Sequence, residues 1–225
     1  MAGKLGTITI GQAPRSDITP ILDAAIGVGA ARRHVGLLDG LGMADIEARF
    51  ATSPGRPLLI TRLIDGAVVT IDRQAAEEAA HDKIHELEED GCTVILLLCT
   101  GHFTTLAGRS AWLIEPDRIV PPAVAALAQH RQVGVVVPLE SQIATEAEKW
   151  ASLARPPIYA AASPYAGDDG ALADAARSLR ARGAELIAMD CMGFVERHRR
   201  TVAEAAGCPA VLSNALIAKL TAELV

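Results

Sequence analysis

Short runs of β-branched and aliphatic residues alternate along the chain with longer Ala-, Glu- and Arg-rich stretches whose apolar positions recur at helical spacing. This alternation is the pattern of βα units around a parallel sheet, and the predicted fold class is α/β. Strands are predicted at Gly6–Ile10, His34–Leu37, Thr93–Leu98, Val133–Val137, Pro157–Ala161, Glu185–Met189 and Ala210–Leu212. Helices are predicted at Asp17–Ala25, Arg73–Glu89, Ser141–Ala154, Gly170–Arg182, Val195–Ala206 and Asn214–Leu224. Leu58–Leu63 and Ala67–Ile71 break the pattern, because Asp65-Gly66 between two β-branched runs is a hairpin signal; an antiparallel insertion is expected near 58–71. Pro116 and the Pro121-Pro122 pair remove amide donors and read as a crossover between two lobes.

The two halves resemble each other. Asp90-Gly91-Cys92 through Cys99-Thr100-Gly101-His102-Phe103 closes the first half, and Arg182-Gly183-Ala184 through Asp190-Cys191-Met192-Gly193-Phe194 occupies the matching place in the second. Both read as helix, glycine cap, buried strand, then Cys-x-Gly opening the next helix. A weaker echo joins Gly6–Arg15 to Gly134–Ile143. Two pseudo-symmetric Rossmann-like lobes with mainly parallel sheets are expected, with the active-site cleft between them. The first lobe would be 1–118, joined by the C-terminal helix 213–225, and the second 119–212.

Composition narrows the function classes. In 225 residues, 50% are hydrophobic and 21% charged, as in a globular protein with a sizeable core. Aromatic residues make up only 3% and the net charge is −6, which supplies neither stacking platforms nor positive charge for a nucleic-acid partner. The apolar runs fall far short of the ~20 residues that cross a bilayer, so no membrane partner is expected. Met1–Gly11 holds no apolar stretch ending in a small-residue cleavage site, and a cytoplasmic protein is expected. Cys92, Cys99, Cys191 and Cys208 are too few for a disulfide scaffold and are read as thiols.

Ligands of open α/β sheets bind beyond the carboxyl ends of the strands, where Cys99 and Cys191 stand. A thiol at a helix N-terminus has its pKa lowered by the macrodipole. Two such thiols facing one carbon would suit racemisation, one removing a proton while the other delivers one. The competing reading is that both cysteines simply pack. Thr100, Gly101 and His102 on one side, and Met192, Gly193 and Phe194 on the other, would bring amides to a substrate anion. His102 would steady a thiolate or donate to a substrate oxygen, or else serve as a surface or capping residue.

Gln12, Pro14, Arg15, Ser16 and Asp17 follow the first strand, with Arg15 suited to bidentate carboxylate binding. Alternatively, Asp17 caps the helix and Arg15 is a solvated charge. In the second lobe Glu140 and Ser141 follow the equivalent strand, as ligand contacts or helix caps, and Ser163 and Tyr165 follow the next. Asp190, if buried, needs a donor. Gly27-Val28-Gly29 follows a predicted helix and reads as its end, not as a dinucleotide fingerprint. His81 and His85 share a helix face but lack the Glu of the zinc-protease motif and a third ligand, and the Glu77, Glu78, Glu86, Glu88 and Glu89 around them read as a solvated face. No metal is expected.

Thr7-Ile8-Thr9-Ile10-Gly11-Gln12-Ala13-Pro14-Arg15-Ser16-Asp17-Ile18-Thr19-Pro20, with Leu98-Cys99-Thr100-Gly101 and Met189-Asp190-Cys191-Met192-Gly193-Phe194, resembles the AroM family within the aspartate/glutamate racemase superfamily. The resemblance covers nearly the whole chain. It implies cofactor-independent chemistry through a carbanion or thiol adduct on a small carboxylate or carbonyl compound, with Cys99 and Cys191 as the catalytic pair. Amino-acid racemases typically carry Asn-Thr or Thr-Glu after the two cysteines, where this chain has Thr100-Gly101 and Met192-Gly193, so the resemblance does not extend to an amino-acid substrate. Three functions remain open: a racemase or isomerase, a decarboxylase-type lyase, and a non-catalytic binding or regulatory protein. A homodimer is the assembly considered.

Overall fold

The structure is a computed structural model that describes Gly3–Glu146 and Glu148–Val225. It divides into two compact units, Met1–Pro116 with Ala218–Val225, and Asp117–Ile217. In the first, strands β1 (Leu5–Thr9), β2 (Arg32–Gly36), β5 (Val94–Leu98) and β6 (Trp112–Ile114) form a parallel sheet in the order β2-β1-β5-β6. In the second, β7 (Val133–Val137), β8 (Ile158–Ala161), β9 (Leu186–Met189) and β10 (Ala210–Leu212) are also all parallel, in the order β10-β9-β7-β8. Counted within its own lobe, each sheet runs second-first-third-fourth. The fold is therefore α/β with the same topology twice.

The helices are α1 (Thr19–Ile26), α2 (Met43–Phe50), α3 (Arg73–Glu89), α4 (Pro116–Ala128), α5 (Gly170–Ala181), α6 (Glu196–Ala206) and α7 (Ser213–Ala222). β3 (Leu58–Arg62) and β4 (Val68–Asp72) pair antiparallel as the hairpin expected from Asp65-Gly66, and Gly66 takes the left-handed φ of 92° that its turn requires.

The central strands β1, β5, β7 and β9 are buried along their full length, which is why β5, β7 and β9 read as continuous apolar runs, whereas β1 carries the buried Thr7 and Thr9. The helix preceding the third strand of each lobe, α3 or α5, ends at a glycine with positive φ, Gly91 at 79° and Gly183 at 98°. Each helix lays a leucine on the second residue of the first strand. A Cβ on Gly6 would stand 2.7 Å from Leu87 Cδ1, and one on Gly134 would stand 3.1 Å from Leu179 Cδ1. The repeated glycine is thus a close-approach site for the crossover helix.

The structure departs from or adds to the sequence reading at three places. Ser141–Ala154 is not an α-helix: a 3-10 helix covers Glu140–Thr145, and the rest of the described segment is turns. Buried ion pairs of Glu146 and Lys149 draw both side chains inward, and these tertiary contacts override the helical period. The proline-rich crossover is helical, since Pro116 opens α4 where its missing N–H costs nothing, while Pro121 and Pro122 lie inside the helix and remove one i→i−4 bond each. Helix α2, which buries only Ile46 and Phe50, and edge strand β6, which buries only Ile114, went unpredicted.

Leu87 is fully buried, so any shift of its side chain presses on its core neighbours. Gly6→Ala is expected to lower stability by about 1–3 kcal/mol in urea unfolding, the usual cost of overpacking. Leu87→Ala introduced into that variant should cost less than in the parent.

Candidate active site

Both candidate cysteines follow the third strand of their lobe, so topology makes them equivalent. Cys99 is 7% and Cys191 8% exposed, and none of the four cysteines is bridged. The backbone N–H of Gly101 donates to Cys99 Sγ at 3.3 Å, and that of Gly193 donates to Cys191 Sγ at 3.4 Å. The Cys-x-Gly spacing recognised in the sequence thus closes the same small turn onto the sulfur in each lobe. A donor aimed at sulfur favours its charged form. The other two cysteines lack this arrangement: burial pushes the thiols of Cys92 and Cys208 up.

The turns leave no room for larger residues. A Cβ on Gly101 would lie 2.6 Å from Leu59 Cδ2 of β3, and one on Gly193 would lie 2.6 Å from the Tyr165 hydroxyl. Tyr165 therefore packs over the Cys191 turn, and Ser163 Oγ accepts its amide at 3.2 Å.

The expected pair of helix N-termini is not present. The segment after Cys99 is irregular up to β6, and α6 begins only at Glu196, after its N-cap Val195. In the first lobe, carboxylates of α3 take the place of a helix. Glu77 Oε1 accepts the amides of Thr104 and Thr105, both at 2.6 Å, and their hydroxyls; Glu88 Oε1 accepts the amides of Arg109, Ser110 and Ala111 at 2.7–3.0 Å. The two residues stand about three turns apart on one face of α3, so the acidic stripe read as solvated is partly a clamp. Burial pushes the Glu88 carboxyl up, but the three amides and His85 reverse this and hold it at about 2. His81 Nε2 lies 3.0 Å from Thr105 Oγ1.

In the second lobe the Cys191 turn is held by α7. Asn214 Nδ2 donates to the carbonyls of Met192, at 2.9 Å, and Phe194, at 2.5 Å, while Ser213 Oγ donates to the carbonyl of Met189 at 2.9 Å. Phe194 is fully buried and meets the His198 ring edge to face, with centroids 5.7 Å apart. Ser213-Asn214 read only as a helix start in the sequence, and nothing there pointed to the carbonyls they hold. The donor expected for Asp190 is present twice, as Lys149 Nζ and Trp150 Nε1.

The Gln12–Asp17 loop leaves the carboxyl end of β1, beside the end of β5, because Thr9 pairs with Leu98. Gln12, Pro14, Arg15 and Asp17 line a cavity of about 330 Å³ with the hairpin residues Arg62–Gly66. The polar groups in it are partly committed. Gln12 donates to the carbonyls of Leu38 and Leu41 and accepts the amide of Ile64, tying loop to hairpin. Arg15, 6% exposed, directs its fork at Asp17, with Nε–Oδ1 2.9 Å and Nη2–Oδ2 2.7 Å, and Nη1 donates to Thr9 Oγ1. Arg15 is therefore no solvated charge, and Asp17 caps no helix: the N-cap of α1 is Ile18 and has no side-chain cap bond. Pro14, His102 and Glu140 are exposed, and Thr100 is buried.

The model of the family described as AroM protein matches residues 5–225. The chain belongs to the AroM family. No curated relative matches the sequence. Among solved structures, allantoin racemase from Pseudomonas fluorescens is similar with a TM-score of 0.61 at 16% identity, over 98% of this chain and 89% of its own. Arylmalonate decarboxylase gives 0.61 at 15% identity, over 99% and 93%. Glutamate racemase from Aquifex pyrophilus gives 0.60 at 12%, over 99% and 84%. This AroM chain therefore has the fold of the aspartate/glutamate racemase superfamily.

A native carboxyl held at about 2 stabilises the fold above the ordinary carboxylate pKa, and that contribution fades as pH falls from about 4.5 through 2. Glu88→Gln is expected to cost about 1–2 kcal/mol at neutral pH. Urea unfolding at pH 7 and pH 3 checks this, with a smaller gap between variant and parent at the lower pH.

Proposed function

We propose that this AroM protein is a cofactor-independent racemase- or isomerase-like enzyme in which Cys99 and Cys191 form an acid–base pair acting on a small carboxylate or carbonyl compound. The observation that carries this reading is the duplicated amide-to-sulfur turn after the third strand of each lobe. As proposed, one thiolate removes the proton from the carbon next to the carbonyl, electron density moves onto the carbonyl oxygen, and the other thiol protonates the opposite face. The Arg62–Gly66 hairpin and the Gln12–Asp17 loop would bound the substrate on the first-lobe side. The reaction so described uses no metal or cofactor.

A second reading, a decarboxylase-type lyase, is favoured by the unequal settings of the two cysteines. Cys99 precedes an irregular segment held by Glu77, whereas Cys191 follows the buried Asp190. A decarboxylation leaves a carbanion that needs only one thiol to reprotonate it.

Incubation in deuterated water with allantoin, glutamate, maleate and an arylmalonate tests both readings. Racemisation would place solvent deuterium on the inverted carbon, and either Cys99→Ser or Cys191→Ser would cut inversion by about 10²–10⁴-fold. Loss on only one substitution would select the lyase. Full inversion in both variants would eliminate the acid–base pair.

Peptide mapping after brief alkylation at neutral pH provides an independent measurement. Cys99 or Cys191 should label ahead of Cys92 and Cys208, whose thiols burial pushes up.

A further inference from the structure

The second lobe buries an ionic cluster that the proposed chemistry leaves unused. Lys149, its side chain 4% exposed, has Nζ 2.5 Å from Asp190 Oδ2, 3.5 Å from Glu146 Oε2 and 4.0 Å from Asp117 Oδ1. The carboxylates come from three places: the first turn of α4, the C-cap residue after the 3-10 helix, and the segment after β9. Trp150 Nε1 donates to the same Asp190 oxygen at 3.3 Å. Burial drives the Lys149 ammonium down, but Asp190, Glu146 and Asp117 more than reverse that and keep it charged. Burial pushes the Glu146 carboxyl up, against the pull of Lys149, to about 7, and burial raises the Tyr159 phenol of β8 beside them to about 12.

A buried ion pair is weak evidence for stability, since apolar residues of similar volume often serve as well. The position of this one is specific. Asp190 directly precedes Cys191, and its amide extends the ladder to the carbonyl of Val136 at 2.8 Å. Ile187, Met189 and Cys191 join one apolar cluster while Leu186, Ala188 and Trp150 join the other, so Asp190 is drawn to the sheet face opposite the thiol.

We propose that Lys149 is a positioning residue for Cys191: it anchors and neutralises the Asp190 carboxylate, fixing the direction of the thiol and keeping an uncompensated negative charge from its neighbourhood. This rests on the reading of Cys191 as an acid–base residue. Other groups at this end of the lobe are Tyr165, packed on Gly193, and His198, packed on Phe194 and 3.6 Å from Asp169. Burial, with Arg197, moves His198 down despite Asp169, and it accepts the Val195 amide through Nδ1, as a neutral imidazole does.

The test is the pH profile of Cys191 alkylation by uncharged iodoacetamide, followed by peptide mapping of the full chain. Lys149→Met should raise the midpoint by about one unit and slow labelling at neutral pH about tenfold. Lys149→Arg should retain the parent profile. Lys149→Met combined with Asp190→Asn removes both charges and should return the rate to within about threefold of the parent. Cys99 should label at the parent rate throughout.

An unchanged Cys191 midpoint in Lys149→Met would overturn the proposal. So would a folded double variant as slow as the single one, because lost packing would then be the cause. If Lys149→Met does not fold, the double variant is read against the parent instead, and Cys191 labelling about tenfold slower than in the parent would overturn the proposal. A parent in which Cys191 labels no faster than Cys92 counts against the catalytic reading alone, because the Lys149 effect is read from the midpoint.

Discussion

The central strands β1, β5, β7 and β9 are buried along their length, and this burial dictates where everything polar can stand. A parallel strand covered on both faces has no place for an unpaired charge along its length, so polar side chains collect where the strand ends. The helices that cover these strands come close enough that a Cβ on Gly6 would press on Leu87 and one on Gly134 on Leu179. Tight crossover packing thus fixes the sheet, and the sheet delivers Cys99 and Cys191 to the same kind of edge in both lobes.

Beyond that edge the lobes diverge, because each must satisfy the backbone groups of its cysteine segment in its own way. In the second lobe α6 follows the turn, Asn214 of α7 takes the carbonyls of Met192 and Phe194, and Phe194 fills the core. In the first lobe no helix follows, and Glu77 and Glu88 of α3 accept the loop amides instead. The small turn that places an amide on each sulfur is common to both. The first lobe also carries the hairpin, which Gln12 ties to the loop after β1 and which closes one wall of the adjoining cavity.

The buried Lys149 shows how tertiary contacts override local pattern. As a sequence, the segment around it has the composition and period of an amphipathic helix. Folded, its charged residues are more valuable as partners for Asp117 and Asp190 than as a solvated face, and the backbone follows them into turns. The same logic explains Arg15, whose fork is aimed at Asp17.

The alternation of strand and helix, the hairpin, the duplicated glycine caps and the Cys-x-Gly pairs were legible in the sequence, because burial on both faces forces continuous apolar runs and tight turns force glycine. Those signals are local, so the sequence by itself determined the α/β class, the repeat and the position of both cysteines after equivalent strands. Which carboxylate clamps which loop, where Lys149 goes and what occupies Arg15 depend on residues far apart in the chain, such as Glu88 with Ala111 and Lys149 with Asp190. A charged side chain has the same sequence signature whether it meets water or a buried partner, and only the tertiary structure decides between them.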